Sequence, residues 1–131
     1  MGVAYVPFDA SHLDGVVALC AAEGWPSFPA DPARAARALV APGVTSVVAS
    51  DGGEVIGFAT MLSDGEIQAY LSLLVVAATR RHEGVGAILV REAFRRAGGE
   101  RVDLLAEDDA QGFYSSMAHR RLPGFRLYPG E

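Results

Sequence analysis

Arg81-His82-Glu83-Gly84-Val85-Gly86 places two glycines and a guanidinium where a β-rich run gives way to a helical pattern. Glycine lets backbone N–H groups approach an anion with no Cβ in the way. A helix start adds unpaired amides and the positive end of its dipole, which together suit a phosphate. Arg81 supplies a charged, forked donor. A small phosphorylated ligand is the expected partner of this turn. A P-loop needs Gly-Lys-Ser/Thr, which the turn lacks. A Rossmann fingerprint needs a third small residue where Leu89 stands, and Asp103, nineteen residues after Gly84, falls inside a predicted strand rather than at its end. Without those partners, the two glycines can also serve only tight strand-to-helix packing.

The elements that position this turn follow from periodicity. Val3–Val6 reads as a short strand, and Asp9 or Ser11 caps a helix carrying Leu13, Val16, Val17 and Cys20 on one face. Trp25–Pro29 reads as an aromatic, proline-stiffened loop, after which Asp31-Pro32 opens a short helix through Leu39. Thr45–Ala49 and Val55–Met61 flank Asp51-Gly52-Gly53 as a hairpin. In the run Glu66–Val76, period two puts Ile67, Ala69, Leu71, Leu73 and Val75 on one face, with Glu66, Gln68, Tyr70 and Ser72 on the other. A helix from Gly84 to about Ala97 follows, then a strand at Val102–Ala106, a helix from about Asp109 through Met117, and a last short strand within Pro123–Pro129.

Composition narrows the classes. Half of the 131 residues are hydrophobic and 21% are charged, so residues 1–131 read as one globular domain. A net charge of −5 argues against a nucleic-acid partner, despite the local pairs Arg80-Arg81, Arg95-Arg96 and Arg120-Arg121. Cys20 is the sole cysteine, so no disulfide or thiolate metal cluster is expected, and the three histidines lack metal-ligand spacing. No apolar run reaches membrane-spanning length and the first residues do not resemble a secretory signal, so a cytoplasmic setting without membrane contact is expected.

Val75-Val76 followed by Arg81-x-x-Gly84-x-Gly86 resembles the acyl-CoA-binding signature of the GNAT N-acetyltransferases, Gln/Arg-x-x-Gly-x-Gly/Ala after a strand. Ala110-Gln111-Gly112-Phe113-Tyr114 is similar to that family's Ala-x-x-Phe-Tyr helix, at the expected distance. The order of elements agrees over nearly the whole chain. The resemblance implies an α+β, three-layer α-β-α fold, in which a mixed, mainly antiparallel sheet is flanked by helices and splayed at its central strand. It implies acetyl-CoA as co-substrate without a metal, and an amine of a small molecule or protein as acceptor. The sequence also allows a homodimer.

By the same resemblance, Leu74 would aim its N–H at the acyl carbonyl, Val76 would bond the pantetheine arm beside Val75, and Arg81, His82, Glu83, Gly84, Val85, Gly86 and Ala87 would cradle the pyrophosphate. Tyr114 would be the acid that protonates the departing thiolate. Many relatives carry a glutamate base near the positions of Tyr70 and Ser72, which are not carboxylates here. Glu66, relayed by water through Tyr70 or Ser72, is the first candidate base, and His119 is the second. Ala118 stands where relatives usually have glycine, and Glu107 where asparagine is frequent. A catalytically silent acyl-CoA sensor on the same fold is the alternative.

Overall fold

Three successive apolar runs form a meander of antiparallel strands, β1 (Ala4–Pro7) lying outside it and β2 (Val44–Asp51), β3 (Glu54–Ser63) and β4 (Gln68–Val76) within it. The structure is a computed structural model and describes residues 2–131. β5 (Arg101–Asp103) pairs parallel to β4, giving a mixed sheet in the order β1-β2-β3-β4-β5. The β2–β3 turn is two glycines, Gly52 at φ 59° and Gly53 at φ 87°, the left-handed pair that matches the twist of a hairpin.

Five α-helices lie among the described residues: α1 (Leu13–Ala22), α2 (Ser27–Ala30), α3 (Pro32–Leu39), α4 (Val85–Ala97) and α5 (Gln111–Ser115). Asp31 accepts from Arg34 N at 3.1 Å and Pro32 sits at the first helical position, as the sequence predicts for α3. The loop expected at Trp25–Pro29 instead winds into α2, with Ala30 N donating to Pro26 O. No helix is long and apolar enough to cross a membrane among the described residues.

Each face of the sheet carries its own apolar cluster. Val16, Leu19 and Cys20 of α1 and Leu39 of α3 cover Val48, Phe58 and Val75 on one face. Val85, Leu89 and Ala93 of α4 cover Val47, Ala49, Ala59, Met61, Ala69 and Leu71 on the other. Burying one such side chain contributes about 1.5–3 kcal/mol, so the two clusters clamp the sheet into a three-layer α-β-α sandwich.

Two further expectations need correction. The single apolar face predicted for residues 67–75 does not exist. Thr60 opposes Leu73 whereas Met61 opposes Leu71, so Ser72 is an extra residue, a β-bulge, and it inverts the alternation. Before it, Ala69 and Leu71 face α4; after it, Leu74 and Val76 do, while Leu73 and Val75 turn to α1. The strand expected within Pro123–Pro129 is also absent, and residues 119–128 run without regular structure. Pro123, Gly124 and Pro129 interrupt the segment, and β5 offers only three paired residues to build on.

Candidate active site

β4 and β5 pair only from Gln68↔Arg101 to Tyr70↔Asp103, so from Leu71 to Val76 the outer edge of β4 is open. The groups facing that gap can be identified. Ala77 N donates to Ile56 O of β3 at 2.8 Å, whereas the carbonyl of Val76 accepts from Arg81 Nε at 3.1 Å and so points away from β3. Backbone groups alternate sides along a strand, so Leu74 and Val76 both turn their N–H groups to the open side. The bulge at Ser72 sets this phase. Ser72 Oγ is committed to the Thr60 carbonyl at 3.1 Å.

The open edge runs into the glycine-rich turn. His82 is the one non-glycine residue with positive φ, at 66°, among the described residues, and Gly84 follows at φ 87° as the N-cap of α4. Backbone held there by a side-chain-bearing residue costs about 1–3 kcal/mol and is typical of binding turns. No side chain caps α4 and no acid lies in its first turn, so the amides of Val85, Gly86 and Ala87 are available to an anion.

The two glycines have different reasons. Around Gly84 nothing lies within 4 Å of where a Cβ would be, and its φ alone requires glycine. Gly86 is set by packing: a Cβ would come within 3.2 Å of Phe113 Cζ and 3.6 Å of Val76 Cγ2. Arg81 is not a free donor. Its guanidinium pairs with Glu23 at the end of α1 while Nε holds the Val76 carbonyl. Arg80 is likewise taken, by Asp51 at 3.0 Å and Glu83 at 3.1 Å.

Tyr114 lies on the α4 side, partly buried against that cluster and edge-on to Phe113, with ring centroids 4.9 Å apart. Burial raises its phenol pKa above the usual 10.0. Its hydroxyl is not left fully buried without a partner, and the raised pKa keeps its proton on at neutral pH. Tyr70 and Asp103 face the opposite side of the sheet, since Ala69 and Leu71, and Val102 and Leu104, alternate with them into the α4 cluster. A groove of about 1160 Å³ wraps around β5 and contains Tyr70, Asp103, Glu107, Tyr114 and His119.

The structure does not bring Glu66 into that groove. It lies in the exposed β3–β4 turn, whose backbone amides at Glu66 and Ile67 each donate to Asp64 Oδ1 at 2.8 Å. Those bonds lower the Asp64 carboxyl below its ordinary value, Ile67 first and Glu66 next. His119 lines the groove from an exposed position, with Nδ1 2.7 Å from the Met117 carbonyl oxygen. The sequence reading missed Asp103 as a site residue and Glu23 as the partner of Arg81. Asp103 was signalled only by its place beside Tyr70 in a register that no periodicity reveals.

A family model, the acetyltransferase (GNAT) family, matches residues 15–118. None of the curated proteins matches the sequence. A candidate acetyltransferase of Deinococcus radiodurans R1 is similar at 33% identity over 96% of this chain and 87% of that one, with a TM-score of 0.75. The aminoglycoside N-acetyltransferase AAC(6')-Iy in complex with CoA superimposes with a TM-score of 0.80 at 19% identity, covering 97% and 93% of the two chains. A GNAT-family acetyltransferase of Streptococcus pneumoniae TIGR4 gives 0.78 at 23% identity, covering 97% and 98%.

Proposed function

The chain belongs to the acetyltransferase (GNAT) family, and we propose that it transfers an acetyl group from acetyl-CoA directly to an amine within one ternary complex. The observation that carries this reading is the open edge of β4, with the Leu74 and Val76 amides turned outward, ending at the uncapped start of α4. Pantetheine lies along that edge in this reading, and the pyrophosphate on the amides of Val85 to Ala87, with Arg81, His82, Glu83 and Gly84 shaping the turn. Arg81 acts by fixing the turn to Glu23 and the Val76 carbonyl rather than by meeting phosphate. The CoA complex of a structural neighbour supports the co-substrate. Residues 1–131 act as one N-acetyltransferase domain.

A lysine-like amine has a pKa near ~10.4 and a thiol near ~8.5, so one proton must leave and another must arrive. The amine nitrogen forms the new C–N bond at the thioester carbon, with the carbonyl oxygen drawing charge toward the Leu74 N–H. The C–S bond then breaks and the thiolate takes the Tyr114 proton, which burial keeps on the phenol. The amine proton goes to a carboxylate, with water between. Glu66 and Asp103 are the two candidates, and the register of Asp103 with Tyr70 favours Asp103.

The sensor reading has one observation behind it: β4 presents Tyr70 and a committed Ser72 where a carboxylate base would be direct. Continuous detection of free CoA thiol, with acetyl-CoA and a panel of small amines and lysine peptides, tests both. Amine-dependent thiol release with acetylated product establishes the enzyme. CoA binding without turnover on any amine leaves the sensor.

A further inference from the structure

The ion pairs of the glycine-rich turn hold more acid than base. Asp51, at the turn between β2 and β3, and Glu83, one residue before the N-cap Gly84, both pair with Arg80, while Glu23 pairs with Arg81. Two guanidiniums thus meet three carboxylates, and of these Glu83 is the one next to the start of α4 in the chain. The amides of that start have no side-chain cap. A carboxylate is the group that such a helix start attracts. Left free, Glu83 would compete with a phosphate for those amides and repel it as well.

Glu83 is not free. Arg80 Nε donates to Glu83 Oε1 at 3.1 Å, and Arg80 Nη1 lies 3.0 Å from Asp51 Oδ2. The side chains of Arg80 and Asp51 are 26% and 25% exposed, against 46% for Glu83, so the first two form the anchor and Glu83 is the end they hold. The backbone at Arg80 is fixed too, its N–H donating to Ala77 O at 2.8 Å. An ion pair with so open a carboxylate adds little to folding stability. Its effect falls on what binds beside it.

We propose that Arg80 is a positioning residue for acetyl-CoA: it ties the Glu83 carboxylate to the β2–β3 turn and so keeps it off the amides that receive the diphosphate. The inference rests on the reading of residues 81–87 as the diphosphate cradle. Arg80 acts through Glu83 and makes no contact with phosphate.

Calorimetric titration of the full chain with CoA tests this in Arg80→Gln, Glu83→Gln and the double variant. Arg80→Gln should weaken CoA roughly tenfold, the scale of one uncompensated charge near the ligand, with the melting temperature unchanged. Added salt should shrink that loss, because screening acts on the freed carboxylate. Glu83→Gln should bind CoA as the wild type does or tighter, and the double variant should regain most of the affinity. Unchanged affinity in Arg80→Gln overturns the proposal. So does a loss that persists in the double variant, since Arg80 then serves the ligand without Glu83. Gly84→Val tells this failure from failure of the cradle. If Gly84→Val abolishes CoA binding while the double variant shows no rescue, the inference alone falls. If Gly84→Val binds as the wild type does, the cradle reading falls and takes the inference with it.

Discussion

The ring of Phe113 rests on residue 86: a Cβ there would stand 3.2 Å from Cζ and 3.3 Å from Cε1. This contact fixes α5, and with it Tyr114, to the second residue of α4. Gly86→Ala pushes the ring aside, an overpacking that costs about 1–3 kcal/mol. Calorimetric CoA binding and kcat should both fall, because cradle and acid share this contact. Phe113→Leu in the same chain should recover part of the loss, and a double-mutant cycle with no coupling would remove the link.

Gly84→Val introduces both a left-handed β-branched residue and bulk beside the helix start, at φ 87°. Strain of about 1–3 kcal/mol accompanies a loss of CoA affinity, read by calorimetry on protein whose circular dichroism is unchanged. Arg81→Ala should weaken CoA less, since the amides of Val85 to Ala87 remain. Glu23→Gln should reproduce most of that smaller effect, because Glu23 holds Arg81 in place.

Tyr114→Phe removes the hydroxyl and keeps the edge-on packing with Phe113. A fall in kcat of roughly 10²–10⁴-fold is expected for loss of a positioned acid, with CoA affinity little changed. Burial raises the phenol pKa above 10.0, so in the wild type ionisation of this acid should not depress the rate below that pH. A basic limb near neutrality would assign the proton to another group.

Asp103→Asn and Glu66→Gln separate the candidate bases. The carboxylate that carries the amine proton should show a drop in kcat/KM at neutral pH that shrinks as pH rises and free amine accumulates. The expectation is a large effect for Asp103→Asn and a small one for Glu66→Gln. The reverse ranking restores Glu66, and flat profiles for both point to water or His119.

Burial, and then Glu23, push the Cys20 thiol from 9.0 to about 11. Its folded pKa is raised, so the stability tied to the neutral thiol is full below pH 9.0 and is lost as pH rises through about 11. Cys20→Ala should flatten that alkaline loss in thermal melts, while lowering stability at neutral pH through the cavity it leaves. The wild-type thiol should resist alkylation until the chain unfolds.

Much of this architecture was legible in the sequence. Apolar periodicity placed α1, α4 and the meander, Asp31-Pro32 placed α3, and Gly52-Gly53 placed the hairpin. The bulge at Ser72 was not legible, because an extra residue leaves composition unchanged while inverting every side chain beyond it. That one residue decides which amides of β4 face the gap. Asp103 and Glu23 escaped for another reason. Each is placed by a partner distant in sequence, Tyr70 in a parallel register and Arg81 across the turn. The strand expected within Pro123–Pro129 failed for a simpler reason, since two prolines and a glycine interrupt it.

The gap between β4 and β5 has a consequence for the life of the protein without its co-substrate. Leu71 to Val76 present an uncharged, largely apolar sequence whose outer edge pairs with no strand, the Val76 carbonyl alone being held by Arg81. Such an edge invites other chains as readily as it invites pantetheine, so the ligand-free form is the aggregation-prone one. Occupancy by CoA would cap the edge, acting as a solubility factor as much as a reagent. The lifetime of the protein in storage should then follow the supply of CoA, even where no amine is present to acetylate.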